Sequence, residues 1–210
     1  MNMLIVCYEN DMPTMYASYF ARKFCRGEVL INPTKEELIE KAKRHNAIVI
    51  VSHGKAYGII GNGKVIVGGN DSVRKVIYSF TCWTGLDVGK KLASKGATFI
   101  GFTNEVLFPF EGNPESDYVA EQFFEPFFKH VDLLEKDPYL FYVLTKKEAD
   151  RRVDELLRRG DEKSIEAAKW LMWNIGNFVY YDRDNVYREE VALYILPLSL
   201  FLGSLWAGLR

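Results

Sequence analysis

Ala47-Ile-Val-Ile-Val51, which Ser52-His53-Gly54 follows, is the apolar run from which the fold can be predicted. The second apolar run is Lys75-Val-Ile-Tyr-Ser-Phe-Thr81, and Cys82-Trp83-Thr84-Gly85 follows it. A predicted helix over residues 86–95 then leads to a third run, Ala97-Thr-Phe-Ile-Gly-Phe-Thr103. Continuous β-branched and aromatic runs that alternate with helical segments are typical of a buried parallel sheet.

The residues before this stretch continue the same alternation. Residues 3–8 and 29–32 predict strands, and residues 13–26 predict a helix with apolar side chains at helical spacing. Thr34 and Glu37 form a capping-box pattern that opens a second helix. Strand, helix, strand, helix, strand is the pattern of a doubly wound α/β fold.

A β-hairpin is predicted directly after His53. Residues 57–60 and 64–67 are apolar runs, and the glycine-rich turn Gly61-Asn-Gly63 joins them. We expect this insertion to form one wall of a cleft beside the histidine.

The second half of the chain is predicted to be mostly helical. Residues 114–134 predict an aromatic helix whose stripe of phenylalanines packs in the core. Residues 139–144 predict a short strand, and Thr145 with Glu148 predicts the start of a charged helix. Residues 161–181 predict another helix.

The end of the chain is apolar. Residues 191–209 carry no charged side chain and are about long enough to span a bilayer. Because they contain Pro197 and Gly203, we interpret them as buried terminal strand structure and expect no membrane partner. The 210 residues suit a single domain, with a sheet core over 1–135 and a helical extension with a buried C-terminal strand over 136–210.

The composition is that of an ordinary globular protein. The formal net charge of −1 gives no indication of nucleic acid as a partner. Cys7, Cys25 and Cys82 lack a metal-ligand spacing and are an odd set for disulfides. We therefore expect no metal, no cofactor and a reducing, cytoplasmic location.

His53 and Cys82 follow two strands that are expected to be near neighbours. In an open parallel sheet the functional groups collect beyond the carboxyl ends of the strands, so we interpret the pair as one catalytic site. A histidine can take the proton of a cysteine, whose thiolate is a strong nucleophile. The backbone N–H groups of Gly54 and Cys82 are candidate oxyanion donors, and the N-terminal end of the helix over 86–95 is expected to favour the thiolate.

His53 and Cys82 also allow a purely structural interpretation. A lone cysteine is usually a small core residue, as we expect for Cys7 and Cys25. A lone histidine at a strand end more often caps an element or faces solvent. The occurrence of His53 and Cys82 together, each beside glycine and each at a strand end, favours catalysis.

With this order of motifs the chain resembles the caspase-like superfamily of cysteine peptidases, which includes caspases, gingipains, separase and CHAT-domain proteases. The resemblance is carried by Ser52-His53-Gly54 after a strand, then a hairpin, then a strand that ends in Thr81-Cys82-Trp83-Thr84-Gly85. Residues 89–103 and 116–128 look most like the gingipain and CHAT branches. The similarity is good over residues 47–130 and weak beyond 135.

The resemblance implies a mainly parallel six-stranded sheet between helices, with His53 as general base and Cys82 as nucleophile. It also implies that Gly54 and Cys82 supply the oxyanion N–H groups, and that residues 198–203 stand where the family has its last strand. The caspase pentapeptide around the cysteine is absent, so cleavage after aspartate is not supported. The implied partner is a protein or peptide substrate.

Specificity in this superfamily comes partly from the loop after the first strand, which here is Glu9-Asn10-Asp11. Acidic side chains at that position imply a preference for a basic P1 residue. Glu105 is a further candidate for substrate contact. Trp83 is another, and its alternative role is to pack the loop. The alternative is that Glu9 and Asp11 are a solvated loop residue and a helix N-terminal acid.

Three other functions compete with an active peptidase. A catalytically inactive caspase-like scaffold or interaction module is compatible with the same sequence. A nucleotide-binding domain is disfavoured, because Tyr8-Glu9-Asn10-Asp11 stands where a glycine-rich phosphate loop is needed. A glutamine-amidotransferase-like enzyme places its nucleophile before its histidine, which is the reverse of the order here.

Overall fold

A computed structural model of the protein describes residues 2–110 and 112–183. Its main feature is a six-stranded, mostly parallel sheet. The strands along the chain are β1 (Met3–Cys7), β2 (Glu28–Ile31), β3 (Ala47–Val51), β4 (His53–Lys55), β5 (Gly58–Gly61), β6 (Lys64–Gly68), β7 (Val76–Phe80), β8 (Thr98–Phe102) and β9 (Phe178–Tyr181). The main sheet has the order β2-β1-β3-β7-β8-β9, and of these six strands only β9 runs antiparallel to its neighbour.

Helices cover both faces of this sheet. They are α1 (Met12–Phe24), α2 (Lys35–Ala42), α3 (Val88–Ser94), α4 (Tyr118–Phe128), α5 (Pro138–Arg159) and α6 (Glu162–Gly176), with a 3₁₀ turn at Val131–Glu135. One core contains side chains of α1, α4, α5 and α6. The other contains side chains of α2 and α3. The protein is therefore an α/β structure of three layers.

Alternate residues of each strand enter opposite cores. In β1, Met3 and Ile5 pack in the core under α1, whereas Leu4 and Val6 pack in the core on the other face. Successive side chains of a strand point to opposite faces, so a strand covered on both sides must be apolar throughout. This explains why β1 and β3 are uninterrupted apolar runs, with every residue buried.

A second, smaller sheet follows β3 directly. β4, β5 and β6 pair antiparallel, with His53 opposite Ile60 and Gly61 opposite Lys64. Ile59 and Ile66 of this sheet are buried in the core that contains α2 and α3. The small sheet is therefore packed onto the domain rather than projecting from it.

The larger core is dominated by aromatic rings. Phe20 of α1 stacks on Phe124 of α4 with ring centroids 4.7 Å apart, and Phe80 at the end of β7 lies 5.2 Å from Phe128. The four phenylalanines of α4 that were expected to be core residues are all fully buried, which confirms that expectation: Phe123, Phe124, Phe127 and Phe128. Aromatic contacts of this kind add to the free energy gained from burial alone.

Helix-start signals were reliable in the first half of the chain. The Thr34 side chain accepts a hydrogen bond from the backbone N–H of Glu37, and the Glu37 carboxylate accepts one from the backbone N–H of Thr34. This confirms the predicted capping box. The strand predicted over 47–51 also has the predicted bounds.

The strand predicted over residues 139–144 is wrong, because these residues form the first turns of α5. Asp137 caps that helix by accepting a hydrogen bond from Leu140, and Pro138 occupies its first turn. Thr145, predicted as a helix cap, instead lies fully buried inside α5. Within this apolar run Phe141 and Tyr142 are buried, whereas Leu140 and Val143 are exposed.

The helix predicted over residues 161–181 is correct only in its first part. α6 ends at Gly176, and the next residues form β9, which pairs antiparallel with β8 from Phe102 opposite Phe178 to Phe99 opposite Tyr181. β9 therefore fills the sixth place in the sheet. The long helix predicted over 114–134 is likewise divided into α4 and the 3₁₀ turn.

The terminal run at 191–209, and the strand expected at 198–203, lie outside the described residues. Within residues 2–110 and 112–183, no helix combines the length and the apolar character that crossing a membrane requires.

We predict that Phe124→Ala lowers the free energy of unfolding by about 3–5 kcal/mol, because it leaves a cavity among packed rings. Urea denaturation measures the change. Tyr118→Ala is the control in the same helix, since its ring is 56% exposed, and it is expected to change stability by less than about 1 kcal/mol. Equal losses in the two variants would contradict an aromatic core centred on α4.

Candidate functional site

The candidate site lies at the carboxyl ends of β3 and β7, which are adjacent and parallel. Their register places Val51 opposite Phe80, so the chain leaves both strands at the same edge of the sheet. Ser52 and His53 follow the first strand, and Thr81 and Cys82 follow the second. Sequence position and strand pairing together therefore bring the two candidate catalytic residues to one place.

His53 and Cys82 line one pocket of about 90 Å³. The pocket opens to solvent at His53, which is exposed, whereas Cys82 is only partly accessible. The other residues that line it are Pro13, Thr14, Ala17, Val51, Ser52, Phe80, Thr81, Val106 and Phe108.

The imidazole of His53 is held by a carboxylate. Its Nε2 lies 2.6 Å from Oδ2 of Asp11. Burial by itself would raise the pKa of Asp11, but hydrogen bonds from Thr14 and His53 outweigh it and hold that pKa below its usual value. An ionised carboxylate can only accept, so Nε2 carries the hydrogen and Nδ1 is the nitrogen left to accept a proton.

The Asp11 side chain is also fixed by its second role, as the N-cap of α1. Its Oδ1 accepts hydrogen bonds from the backbone N–H and the hydroxyl of Thr14, at 3.0 and 2.7 Å. The sequence Asp11-Met-Pro-Thr14 contains the signals of this cap, an N-cap acid with proline in the first turn. The other carboxylate oxygen of Asp11 bonds to His53. No signal in the sequence predicts this bond, because 42 residues separate Asp11 from His53.

Cys82 is held as a thiol. Burial raises the pKa of the thiol, a hydrogen bond from the backbone N–H of Val106 to Sγ opposes this rise, and the nearby Glu105 carboxylate adds to it. The expectation that the helix over 86–95 would stabilise a thiolate is not met, because α3 begins only at Val88 and has seven residues. Turns occupy the segment between Cys82 and α3.

Gly54 allows the two strand ends to touch. A Cβ atom at Gly54 would overlap the carbonyl oxygen of Cys82 and would lie 2.9 Å from Cβ of Thr81. No side chain fits in so little space, so glycine is required for this approach. The backbone of Gly54 therefore lies directly against the segment that carries Cys82.

Three buried hydroxyl side chains form a hydrogen-bonded group in the residues around Cys82. Ser79 and Thr81 lie 2.6 Å apart through their side-chain oxygens, and Thr81 and Thr84 lie 2.9 Å apart. All three residues are at most 1% exposed. This hydrogen-bonded group was not predicted, although three hydroxyl residues at the end of an apolar strand are a visible signal in the sequence.

The remaining expected contact residues occupy different positions. Glu9 forms an ion pair with Arg22 at 2.9 Å and accepts a hydrogen bond from Ser18. Glu105 is exposed, and its backbone carbonyl accepts a hydrogen bond from the Trp173 indole. Neither glutamate lines the pocket that contains Cys82.

Trp83 has an unusual backbone conformation. Its φ is +58°, in the left-handed region that L-residues other than asparagine and aspartate rarely adopt. Its N–H donates to the carbonyl of Asn104 at 3.0 Å, which fixes the turn directly after Cys82. Such conformations store about 1–3 kcal/mol of strain and are concentrated at functional sites.

Cys7 and Cys25 are buried in the larger core, as expected. In the part of the chain that the structure describes, no three His, Cys, Asp or Glu side chains form a group suited to a metal ion.

Comparison with known proteins gives no independent identification: no protein-family model matches the chain, and no curated protein matches it.

We predict that Trp83→Gly is more stable than Trp83→Ala by about 1 kcal/mol, because glycine adopts a positive φ without strain. Both variants lose the indole, so their difference in denaturation midpoint isolates the backbone. At the helical, exposed position Met172 the order should reverse, with alanine the more stable by about 1 kcal/mol. Equal stabilities of the two Trp83 variants would show that the turn is unstrained.

We also predict that Glu105→Gln increases the rate at which iodoacetamide alkylates Cys82 at pH 7. The Glu105 carboxylate raises the pKa of the thiol, so its removal lowers that pKa and increases the thiolate fraction. Mass spectrometry of the alkylated Cys82 peptide over a pH series measures the alkylation rate and the pKa of the thiol. Glu115→Gln is the control, and an unchanged pH profile in Glu105→Gln would contradict the prediction.

Proposed function

We propose that the protein is a cysteine peptidase of the caspase-like type, with Cys82 as nucleophile and His53 as general base. The observation that carries the proposal is that both side chains line one pocket beyond the adjacent parallel strands β3 and β7. The six-stranded, mostly parallel sheet agrees with the layout that the sequence resemblance implies. The order of the motifs along the chain supports the same assignment.

In the proposed reaction, the Cys82 thiol first gives its proton to Nδ1 of His53. The sulfur forms a bond to the carbonyl carbon of the scissile peptide, and the π electron pair of that carbonyl moves to its oxygen. The backbone N–H groups of Gly54 and Cys82 are the proposed donors to this oxyanion. Gly54 lies against the Cys82 segment, since a Cβ atom there would overlap the Cys82 carbonyl oxygen.

The tetrahedral adduct then collapses as the carbonyl re-forms and the C–N bond breaks. The leaving amine takes the proton from His53, and a thioester remains on Cys82. His53 next takes a proton from water, whose oxygen attacks the thioester carbon, and the departing sulfur recovers the proton. One peptide bond and one water molecule are thus converted to a carboxylic acid and an amine.

Asp11 is a positioning residue in this scheme. Its ionised carboxylate orients the imidazole through Nε2 and stabilises the imidazolium that forms when Nδ1 accepts the thiol proton. Because the opposite oxygen is fixed by the α1 cap, the carboxylate cannot rotate without breaking the cap. The start of α1 thereby sets the direction of the proposed base.

The protonated thiol has a consequence for the pH dependence. Burial raises the pKa of Cys82, so at neutral pH the resting residue is a thiol and needs the base. The rate of acylation is then expected to rise with pH until the thiol is ionised.

The same burial favours the second candidate function, an inactive caspase-like scaffold. In that case Cys82 is a core-edge residue whose sulfur serves the loop after β8 by accepting the Val106 N–H. Reactivity of the thiol with substrate-like reagents distinguishes the two functions.

We predict that the wild-type protein hydrolyses members of a fluorogenic peptide library that samples all P1 residues. Cys82→Ala and His53→Ala are expected to lower kcat/KM by about 10³-fold or more, because each removes a reacting group. Circular dichroism checks that the variants fold. Hydrolysis that survives in Cys82→Ala would refute the assignment, and a folded wild-type protein that neither hydrolyses peptides nor reacts with peptidyl acyloxymethylketones would indicate the scaffold.

Two substitutions of Asp11 can be compared in the same hydrolysis assay. Asparagine is as good an N-cap as aspartate, so Asp11→Asn should keep the stability of α1 while lowering kcat by about tenfold or more and altering its pH profile. Asp11→Ala should lose the same activity and, in addition, about 1 kcal/mol of stability. Full activity in Asp11→Asn would leave Asp11 with the role of a helix cap alone.

A further inference from the structure

The lining of the pocket beside His53 and Cys82 indicates which kind of substrate side chain can bind there. Apolar side chains from four parts of the chain form most of its lining. They are Pro13 and Ala17 of α1, Val51 and Phe80 at the ends of β3 and β7, and Val106 and Phe108 of the loop after β8.

The hydroxyl groups that line the pocket are committed within the protein. Thr14 donates its hydroxyl to the Asp11 carboxylate. Ser52 donates to the carbonyl of Ile60, and Thr81 belongs to the hydrogen-bonded group of hydroxyl side chains around Cys82. A substrate acceptor group would have to displace one of these bonds to receive a hydroxyl proton there.

The carboxylates that could receive a basic side chain are also placed elsewhere. Glu9 is paired with Arg22, Asp11 is bonded to His53 and Thr14, and Glu105 does not line the pocket. A guanidinium in the pocket would lose its hydration without gaining an ion pair, which is unfavourable. The geometry thus disfavours the basic P1 preference that the sequence suggested.

The size of the pocket limits the group that it can hold. Its volume of about 90 Å³ is smaller than the ~150 Å³ of an apolar protein cavity that holds benzene. This volume matches a branched side chain of three or four carbons better than it matches a phenyl ring.

We propose that this pocket binds the P1 side chain of the substrate and selects a small branched aliphatic residue, valine or leucine. The inference rests on the proposed function, because a scissile carbonyl placed on the Cys82 sulfur brings its own residue's side chain nearest to the pocket. Burial of aliphatic surface supplies the binding free energy. The specificity is therefore set by α1 and the loop after β8, not by a charged group.

The test measures binding without catalysis, in Cys82→Ala with ¹³C-labelled alanine methyl groups. The ligands are N-acetyl tetrapeptide amides that differ only in the last residue: valine, leucine, phenylalanine, arginine or aspartate. The Ala17 methyl resonance should shift with the valine and leucine peptides, with dissociation constants at least about tenfold lower than for the others. Ala21, buried one turn further along α1 and not part of the pocket lining, provides the unshifted reference.

Two variants in this background alter the pocket in opposite directions. Ala17→Leu fills it and is expected to weaken binding of the valine peptide at least about tenfold, which the labelled methyl group introduced by Cys82→Ala reports. Phe108→Ala enlarges the pocket and is expected to shift the preference toward phenylalanine. Misfolding cannot produce a gain of affinity for the phenylalanine peptide. Phe108→Ala therefore still tests the inference if Ala17→Leu is unstable.

Each outcome separates the inference from the proposed function. If the arginine peptide shifts Ala17 as strongly as the valine peptide, or if no peptide shifts it, the aliphatic pocket is refuted. Cys82-dependent hydrolysis after arginine in the wild type would refute the inference and leave the peptidase standing. Aliphatic binding without any hydrolysis would support the pocket and refute the peptidase.

Discussion

The parallel pairing of β3 with β7 determines where the groups of the candidate site lie. Both strands are covered by apolar side chains on both faces, so their backbone groups have no solvent to bond and must bond each other. In the observed register Val51 lies opposite Phe80, which brings Ser52-His53 and Thr81-Cys82 to one edge. The close approach of Gly54 to the carbonyl of Cys82 then follows from two chains leaving adjacent strands side by side.

Charge at the site is organised around a single carboxylate. Asp11 caps α1 with one oxygen and holds His53 with the other, so the stability of a helix start and the orientation of the imidazole share one residue. At Cys82 the hydrogen bond from the Val106 N–H favours the thiolate, but burial and the Glu105 carboxylate outweigh it and raise the pKa of the thiol. In the proposed reaction the Cys82 thiol therefore gives its proton to His53 during acylation and is not a resting anion.

The pocket shares its residues with the core. Phe80 contacts Phe124, Phe127 and Phe128 of α4, and Phe108 stacks edge-on against Phe124 at 4.9 Å. Because core packing is dense, a change in these rings is transmitted to the shape of the pocket. The proposed apolar selectivity and the aromatic packing of the core therefore depend on the same contacts between α4, the strand ends and the loop after β8.

Features governed by near neighbours along the chain could be predicted from the amino-acid sequence: the apolar strands, the capping box at Thr34, the buried stripe of α4, and the placement of His53 and Cys82 after strands. The strand predicted at 139–144 was wrong although Asp137 and Pro138 are local signals of a helix start. The helix predicted through 181 was wrong in its last part, because a short aromatic run suits either structure. Tertiary packing selected β9 there, since the open edge of β8 needed a partner. It also decided the roles of the acidic residues. The bond from Asp11 to His53 and the ion pair of Glu9 with Arg22 depend on where folded segments meet, and no local pattern in a sequence encodes that distance.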